Sequence, residues 1–339
     1  MRAVIKVSPD TELVELRDIE TPALPPSGHA RVTVVAAGIC GTDLHIIDGS
    51  YSSRPPVALG HEVSGIVAEV SADVDPAWIG KPVAMETFFS TCGVCQFCRA
   101  GQPNMCAERV SIGSGTNGGF AETIIVPAKN LHELPASVDV VAGALSEPLA
   151  CVCQSLFSPT PAVSPGDRVL VYGPGAVGLL AAQVARAAGA EVVIVGTASD
   201  ATRLELAASL GFTTTLAPVT IDALPATWSL GPDVVIECSG AGPAMRSGLE
   251  IIRKHGRFVQ MGQTGDLVSV PFAQLSFKEL TVTGGFASTP TSWARAMTLL
   301  QNGLVDLAPL VSRSYPLEQW SDAFDATRRG DGVKLLLVP

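Results

Sequence analysis

A glycine-rich loop at a strand–helix junction is the feature that most constrains the fold of this chain. The loop reads Gly173, Pro174, Gly175, Ala176, Val177 and Gly178. It follows a buried strand predicted at 168–172 directly and opens a helix predicted to reach Ala188. Glycines at this spacing allow a tight turn and a close approach of the backbone to a pyrophosphate, which rests on the N-terminus of the helix. The pattern therefore predicts a doubly wound parallel sheet that binds a dinucleotide.

The residues that follow repeat the alternation of strand and helix. Further strands are predicted at 191–195, 233–237, 257–261 and 280–283, with helices at 201–210 and from Pro243 onward. A sheet of this kind binds its ligand at the carboxyl ends of the strands. Four residues that lie just past strand ends are therefore expected at the dinucleotide site: Cys238, Ser239, Gly240 and Gly262.

The end of the second strand bears on the choice of dinucleotide. Sheets specific for NAD carry an acidic side chain roughly twenty residues past the glycine loop, where it holds the ribose 2′-hydroxyl. Gly196 stands there in this chain, followed by Thr197 and Ser199, whose hydroxyls can donate to phosphate oxygens. Arg203 lies one turn into the next helix, and Asp200 either caps that helix or turns toward the ribose. We expect NADP to be accepted and mildly favoured, with NAD also usable.

The first part of the chain lacks this alternation and is typical of a mainly antiparallel β domain. Strands are predicted at 1–6, 12–17, 30–37, 63–70 and 123–126, and a short helix at 43–48. Helices at 291–302 and 318–329 and a strand at 333–338 are assigned back to this domain. The predicted domains are therefore 1–152 with 289–339, and an inserted dinucleotide domain at 153–288.

Four cysteines within fifteen residues predict a metal site in a lobe at 90–107. They are Cys92, Cys95, Cys98 and Cys106. Four thiolates at this spacing can close a tetrahedral zinc shell with no open position, which makes the site structural. The alternatives are four unlinked thiols, which this spacing disfavours, and an iron–sulfur cluster, for which the sequence offers no electron-transfer partner site.

A second group of metal-binding residue types surrounds Cys40 and His61. A thiolate and an imidazole can bind zinc, and the hydroxyl of Thr42 lies two residues after the thiolate. Taken singly, a buried Cys or His is more often a core residue. The other motifs of the chain decide for the metal site.

Glu147 is the candidate for a further ligand, either directly or through water. It precedes Pro148 among apolar neighbours, in a helical stretch at 139–157 that is expected to be interrupted at this proline. A carboxylate in such surroundings is costly unless it is paired or bound to metal. The alternative is a carboxylate that complements a helix N-terminus. Cys151 and Cys153 are expected to be core residues, with Cys151 a minor rival ligand.

Composition excludes several classes of protein. A length of 339 residues suits two domains, and 47% hydrophobic against 16% charged residues indicates a packed globular chain. A net charge of −10 with no basic cluster argues against nucleic-acid binding. No apolar signal core follows a charged N-terminal region, and the longest uncharged stretches are broken by Pro and Gly. A soluble cytoplasmic protein is expected.

These motifs together resemble the zinc-containing medium-chain alcohol dehydrogenases/reductases over essentially the whole chain. The matching stretches are 38–43, 60–62, the four-cysteine lobe and the loop 173–178. The resemblance implies a GroES-like catalytic domain, an inserted Rossmann domain and a catalytic zinc in the cleft between them. It also implies a homo-oligomer, either a dimer or a tetramer.

Within this family, residues 146–149 resemble the sorbitol and related polyol dehydrogenases. Carried over by position, the resemblance makes Cys40 and His61 zinc ligands, and it places Glu62 close to the metal, where it can exchange with water. Glu147 is then the remaining acidic ligand or holds the zinc-bound water. Thr42 takes the alcohol proton, and His45 passes it toward solvent.

The sequence thus predicts a zinc-dependent oxidoreductase that moves a hydride between a secondary alcohol, a polyol or sugar alcohol, and NAD(P), giving a ketone. Residues 40–46 also resemble the L-threonine 3-dehydrogenases, and the chain departs from them at 47–49, so L-threonine or a simple secondary alcohol ranks second. A non-catalytic nucleotide-binding or structural descendant is the alternative of another class. Tyr51, Phe120 and Phe286 are candidates for the substrate pocket, although each is better interpreted as core.

Overall fold

Six parallel strands form the sheet that the glycine loop predicted, and a separate antiparallel system precedes it. The computed structural model describes residues 1–9, 11–23, 25–265 and 267–339. One unit comprises Met1–Glu147, Ser288–Met297 and Leu307–Pro339, and the other comprises Pro148–Ala287 and Thr298–Asp306. None of the helices in the described ranges has the length and apolar character needed to cross a membrane.

The strands and helices are numbered here in chain order. The strands are β1 Arg2–Lys6, β2 Val14–Asp18, β3 His29–Gly38, β4 Val57–Ala58, β5 Glu62–Val70, β6 Pro82–Met85, β7 Phe88–Ser90, β8 Val110–Ser111, β9 Thr123–Pro127, β10 Leu131–Glu133, β11 Arg168–Tyr172, β12 Glu191–Gly196, β13 Thr213–Leu216, β14 Val234–Glu237, β15 Arg257–Gln260, β16 Thr281–Gly284, β17 Val311–Pro316 and β18 Lys334–Val338. The α-helices are α1 Gly41–Ile47, α2 Gln96–Arg99, α3 Ser146–Phe157, α4 Ala176–Ala187, α5 Ala201–Ser209, α6 Gly242–Ile251, α7 Gln274–Phe277, α8 Pro290–Gln301 and α9 Trp320–Arg329.

The second unit is the predicted doubly wound sheet. Its strands lie in the order β13-β12-β11-β14-β15-β16 and all pair in parallel. The central strands are apolar and buried because helices cover both faces of such a sheet. The chain order reverses at β11, which has β12 on one side and β14 on the other. Ligands of doubly wound sheets bind at this kind of position.

The first unit is mainly antiparallel β, as the sequence predicted. A seven-stranded sheet has the order β10-β6-β5-β3-β18-β17, with β9 also pairing β3, and a three-stranded sheet has the order β2-β1-β4. Only the pair of β17 and β18 is parallel in these two sheets. Short strands such as β4, β6 and β10 were not predicted, because two to four residues are too few for a periodic pattern.

Strand register brings three distant parts of the first unit to one sheet edge. Gly38 at the end of β3 lies opposite Glu62 at the start of β5, and Leu336 of β18 also lies opposite Gly38. Cys40 and His61 flank these strand ends in sequence. The predicted metal-binding residues therefore meet because their strands pair, although twenty residues separate them.

The predicted interruption of a helix at Pro148 is wrong. Helix α3 runs from Ser146 to Phe157 and passes through this proline without a break. Pro148 lies in the first turn, where the missing N–H has no partner within the helix in any case. Cys153 is fully buried, as expected of a core residue, and Cys151 is only partly buried.

Candidate active site

Three donor atoms of different chemistry converge at the edge where β3 and β5 meet. One ligand atom from each of Cys40, His61 and Glu62 lies within 4.8 Å of the others. Cys40 caps the N-terminus of α1 in an extended conformation, with φ −107° and ψ 156°. Thiolate sulfur, imidazole nitrogen and carboxylate oxygen are the donors that zinc takes in protein sites, so these residues fit a zinc ion.

The carboxylate of Asp43 contacts several of the residues at this edge of the sheet. This fully buried carboxylate accepts hydrogen bonds from the backbone N–H groups of Cys40 at 2.9 Å and Gly60 at 3.3 Å. One oxygen also lies 3.5 Å from Nδ1 of His61. Burial alone would lower the pKa of His61, but the carboxylate of Asp43 and the thiol of Cys40 outweigh it and raise that pKa well above its usual value. A carboxylate behind a ligand histidine fixes the orientation of its ring.

Glu62 is bound on its other side by a cation that no pattern in the sequence predicts. Lys334, at the start of β18, donates to both carboxylate oxygens of Glu62 and to the carbonyl of Ile39. Gly38 leaves room for this carboxylate, since a Cβ there would overlap a Glu62 oxygen. Neither Lys334 nor Asp43 was singled out from the sequence. Asp43 lies within the motif 38–43 at the third position of a helix, whereas Lys334 is the first residue of an otherwise apolar strand and carries no local signal.

The residues predicted to move a proton lie around the same edge. The hydroxyl oxygen of Thr42 is 3.7 Å from the sulfur of Cys40. His45 is exposed, and its Nδ1 lies 3.2 Å from the hydroxyl of Ser50. In the described part of the chain no hydrogen bond is recorded between Thr42 and His45.

Glu147 lies in the first turn of α3 and is not part of the 4.8 Å donor set. Its buried carboxylate accepts a hydrogen bond of 2.9 Å from the hydroxyl of Thr87. The preceding Ser146 is fully buried, and its hydroxyl has no hydrogen-bond partner among the residues described. Of the four predicted catalytic-site ligands, the structure thus brings three together and places the fourth outside that cluster.

The four cysteines of the lobe form the second donor set. All four sulfurs lie within 4.8 Å of one another, with 3.9 Å between Cys92 and Cys98 and 3.6 Å between Cys106 and Cys92. Zinc–sulfur bonds of about 2.3 Å in a tetrahedron give sulfur separations of about 3.8 Å, so the four residues fit a zinc ion. Backbone N–H groups of Val94 and Cys95 lower the pKa of Cys92 to about 7. Burial raises the pKa of Cys98 to about 11.

The glycine loop of the second unit has the geometry that its sequence predicted. Gly173 has φ +93°, which favours glycine, and a Cβ on Gly178 would overlap the carbonyl oxygen of Gly173. Gly175 caps α4, and a Cβ on it would have nothing within 4 Å. Ala176 and Val177 begin that helix. A helix N-terminus with open space before it can hold a phosphate.

A cavity of about 390 Å³ lies beside this loop in the second unit. It is lined by Tyr172, Gly173, Val195, Gly196, Thr197, Asp200, Ala217, Pro218, Ser239, Ala241, Pro243, Ala244 and Ser247. Of the predicted dinucleotide residues, Gly173, Gly196, Thr197 and Ser239 line the cavity. The others in that prediction are not lining residues: Gly175, Ala176, Val177, Gly178, Ser199, Arg203, Cys238, Gly240 and Gly262.

The segment after Gly196 differs from expectation in one respect. Asp200 is the N-cap residue of α5, but its side chain makes no capping hydrogen bond to that helix. Its carboxylate instead accepts from the backbone N–H of Thr197 at 2.9 Å and from the hydroxyl of Thr197 at 2.7 Å, and Arg203 donates to it at 3.3 Å. The Thr197 hydroxyl also lies 2.7 Å from that of Ser199. The hydroxyls expected to face a phosphate are therefore engaged with Asp200 and each other.

Three aromatic residues are the sequence-based candidates for the substrate pocket: Tyr51, Phe120 and Phe286. Phe120 is fully buried, and its ring packs edge-on against Phe324 and lies under Gly60, so it is a core residue. Tyr51 is partly buried against the core of the first unit, and Phe286 in the second unit is 37% exposed.

A parallel sheet with a glycine loop for a dinucleotide, together with two donor sets that fit zinc, is typical of the zinc-binding dehydrogenases. Residues 26–136 match the alcohol dehydrogenase GroES-like domain family, and residues 176–302 match the zinc-binding dehydrogenase family. The chain belongs to the zinc-containing medium-chain alcohol dehydrogenase family. It is an NAD(P)-dependent alcohol dehydrogenase, which confirms the predicted enzyme class.

Full-length relatives agree with this assignment. Sorbitol dehydrogenase of Halalkalibacterium halodurans is 35% identical, with 100% of this chain and 99% of that protein covered. L-threonine 3-dehydrogenase of Pyrococcus abyssi is also 35% identical, with 100% and 98% covered. A protein of Sinorhizobium meliloti 1021, solved with NADP bound, superposes with a TM-score of 0.90 at 33% identity, with 100% of this chain and 99% of that chain covered.

Proposed function

We propose that the protein oxidises a secondary hydroxyl of a polyol to a ketone, using zinc and NADP or NAD, with NADP mildly favoured. The convergence of Cys40, His61 and Glu62 within 4.8 Å carries the proposal, because it supplies a mixed donor set of the kind found in catalytic zinc sites. The catalytic domain would comprise 1–152 and 289–339, and the dinucleotide domain 153–288.

Cys40 and His61 would hold the catalytic zinc, with Glu62 or water completing its shell and Glu147 holding a water nearby. Cys92, Cys95, Cys98 and Cys106 would hold a second, structural zinc. Zinc in the first site would act as a Lewis acid that makes an alcohol hydroxyl more acidic, and NAD(P) would accept the hydride. Asp43 keeps the ring of His61 in place for this purpose.

The chain's own groups would carry the proton away. Thr42 lies beside Cys40 and offers a hydroxyl that can accept the proton of the alcohol while giving up its own. His45 is exposed at the surface end of α1, where an imidazole can pass the proton to solvent near neutral pH. The hydrogen bond between His45 and Ser50 orients that ring.

Two substrate classes are represented among the relatives. Both sorbitol and L-threonine dehydrogenases are among the 35% identical relatives, so identity alone does not separate them. Glu147, whose motif 146–149 resembles polyol dehydrogenases, favours the polyol. L-Threonine is the second candidate because of the match at 40–46.

A steady-state screen of the zinc-loaded protein tests the substrate. Pentitols, hexitols, inositols, L-threonine and simple alcohols are each offered with NADP and with NAD, and formation of reduced cofactor is followed by absorbance. We expect the highest kcat/KM with a vicinal polyol. A preference for ethanol or another primary alcohol would contradict the polyol assignment, and a preference for L-threonine would establish the second candidate.

The protein is also proposed to be a homo-oligomer, a dimer or a tetramer. Strand β16 is the last strand of the parallel sheet, and its residue Val282 is 45% exposed. An exposed edge strand offers backbone groups for pairing with another chain. Light scattering coupled to size exclusion should give a mass of two or four chains, and a monomer at micromolar concentration would contradict this.

A further inference from the structure

A buried carboxylate lies where two loops of the parallel sheet begin, and the catalytic scheme above does not use it. Glu237 is the last residue of β14 and is fully buried. Its side chain accepts hydrogen bonds from the backbone N–H of Ser239 at 2.8 Å, from the backbone N–H of Gly240 at 3.1 Å and from the hydroxyl of Ser239. The first loop, 238–240, is thus folded around this carboxylate.

The neighbouring strand connects the same carboxylate to a second loop, 261–263. Gln260 is the last residue of β15 and lies directly beside Glu237 in the register of the sheet. Its amide nitrogen donates to Glu237 at 2.7 Å and to the carbonyl of Gly262 at 2.7 Å. The backbone carbonyl of Glu237 also accepts from the N–H groups of Met261 and Gly262, both at 2.8 Å.

The two loops touch each other and leave no room for larger residues. A Cβ on Gly262 would overlap the backbone nitrogen of Gly240, and a Cβ on Gly240, which has φ +70°, would overlap the carbonyl of Gln263. On its other side the first loop meets the glycine loop, since a Cβ on Gly173 would lie 3.0 Å from Ser239. Ser239 itself lines the 390 Å³ cavity.

Hydrogen bonds, rather than a nearby cation, stabilise the carboxylate of Glu237. In the described ranges no Lys, Arg or His nitrogen lies within the 4.0 Å ion-pair distance of Glu237, although a buried charge is costly unless it is paired or hydrogen-bonded. The donors come from the two loops and from Gln260, so the charge is satisfied only while both loops keep their present shape. Hydrogen bonds to a charged group are stronger than those to a neutral one. A carboxylate bonded by both loops therefore fixes their geometry more strongly than a neutral side chain would.

We propose that Glu237 is a positioning residue that holds loops 238–240 and 261–263 in the shape required for the dinucleotide before the dinucleotide binds. The inference rests on the proposed use of NAD(P) at this edge of the sheet. Loops that are already ordered in the free protein do not have to be ordered during binding, which strengthens affinity. Gln260 serves the same purpose by linking the second loop to the carboxylate.

The test exchanges the side chains of Glu237 and Gln260, which lie beside each other where β14 pairs with β15. Glu237→Gln keeps an oxygen for Ser239 and Gly240 but sets two amide NH2 groups against each other at Gln260. The double variant Glu237→Gln/Gln260→Glu restores a donor opposite an acceptor. Two measurements are made: hydrogen–deuterium exchange of the amides of 239, 240 and 262 in the nucleotide-free protein, and the Kd for NADPH and NADH by quenching of tryptophan fluorescence.

In Glu237→Gln we expect these amides to exchange about tenfold faster and both Kd values to rise about tenfold, which are the effects of losing one charge-assisted hydrogen bond. The double variant should recover most of the protection at 239 and 240 and part of both affinities, but not the protection at 262, because a carboxylate at position 260 cannot donate to the carbonyl of Gly262. Glu191→Gln is the matched control, because Glu191 accepts a 2.9 Å hydrogen bond from Trp228 at the start of β12, the opposite end of the sheet. It should leave loop exchange and both Kd values unchanged.

Unchanged exchange and Kd in Glu237→Gln would overturn the proposal, as would equal effects in Glu191→Gln, which would indicate general destabilisation. If Glu237→Gln does not fold, Gln260→Leu is used instead, because it removes only the link to the second loop. It should speed exchange at 262 while 239 and 240 stay protected. Equal exchange rates at all three amides would overturn the proposal. A parent protein that binds neither nucleotide would overturn the proposed cofactor function, while the exchange measurements would still decide whether Glu237 holds the loops.

Discussion

The ammonium nitrogen of Lys334 lies 2.7 Å from each carboxylate oxygen of Glu62. Both side chains are almost completely buried, at 7% and 2% exposure. Burial alone would lower the pKa of Lys334, but the charges of Glu62 and Cys40 raise it above its usual value, so the lysine is a cation. Glu62 therefore has a permanent partner on one side and its place in the donor set on the other. This arrangement supports the proposal that Glu62 is a zinc ligand that exchanges with water.

Removal of the lysine should be costly. Lys334→Met leaves Glu62 as an uncompensated buried charge, and breaking a buried pair in this way costs about 3–5 kcal/mol of unfolding free energy. Lys334→Met/Glu62→Gln should recover a large part of that loss. Lys81→Met is the control, because its 2.6 Å pair with Glu133 is exposed and is worth about 0–1 kcal/mol. Urea unfolding measures all three, and equal losses in Lys334→Met and Lys81→Met would contradict the argument.

Metal content provides the second prediction. Two donor sets fit zinc, so the purified chain should carry two zinc ions by elemental analysis. Cys40→Ser should lose one ion and all turnover, while the other ion and the fold remain. Cys92→Ser should lose the other ion and destabilise the lobe. Well-folded, active protein without any metal would exclude zinc from the mechanism.

Proton transfer provides the third prediction. His45→Ala should lower turnover mainly near neutral pH and less at high pH, where hydroxide can take the proton directly. Thr42→Val should lower turnover at every pH, because it removes the first acceptor. Ser50→Ala removes the hydroxyl that contacts Nδ1 and the backbone carbonyl of His45 but leaves the imidazole, so it should have a smaller effect than His45→Ala. An unchanged pH–rate profile in His45→Ala would remove that residue from the mechanism.

Acid stability provides the fourth prediction. Asp233, at the opposite end of the parallel sheet from Glu237, accepts from Arg168 at 2.7 Å and also pairs with Arg253. Burial would raise the pKa of Asp233, but these two guanidinium groups outweigh it and hold that pKa far below its usual value. The folded pKa is the lower one, so the pair stabilises the fold above the unfolded pKa of about 3.9 and this contribution is lost as the pH falls below it.

Asp233→Asn should therefore destabilise the protein at pH 7 and have progressively less effect as the pH falls below about 4. Urea unfolding of parent and variant at a series of pH values measures this. Asp331→Asn is the control, since its pair with Arg329 is exposed on both sides. A difference between parent and Asp233→Asn that stays constant down to the lowest pH would show that the charge of Asp233 is not what stabilises the sheet.

The sequence predicted the fold well where all the residues of a motif lie in one short stretch of the chain. The loop 173–178 could be interpreted because glycine spacing between a strand and a helix has few other uses, and the four cysteines because their ligands lie within one short lobe. Strand β13, Thr213–Leu216, was missed because it is only partly buried and consists of three threonines and one leucine, which show no apolar pattern.

The candidate site was harder to predict where partners come together only through the sheet. Lys334 reaches Glu62 because β18 pairs with β3 and β3 pairs with β5, and no spacing in the sequence encodes that contact. Glu237 is a different case. A carboxylate that ends an apolar strand could have been questioned on the same grounds as Glu147, but its partners in loop 261–263 depend on the pairing of β14 with β15.

The preference between NADP and NAD provides the last prediction. Gly196 lines the cavity without a side chain, which leaves space for a 2′-phosphate. Asp200 also lines the cavity, but its carboxylate is already held by Thr197 and Arg203. A carboxylate with these partners is less free to turn to a ribose hydroxyl. We expect the parent to use both cofactors, with NADP mildly favoured.

Gly196→Asp should shift the ratio of kcat/KM values for NADP and NAD toward NAD by at least about tenfold, because a carboxylate there accepts from the 2′-hydroxyl and repels a 2′-phosphate. A Cβ on Gly196 would lie 3.0 Å from the side chain of Leu204, so any substitution crowds this position. Gly196→Asn has the same crowding without the charge and is the matched control; it should lower both kcat/KM values and leave their ratio within about threefold of the parent. Strong NAD specificity in the parent, unmoved by Gly196→Asp, would show that this position does not contact the ribose.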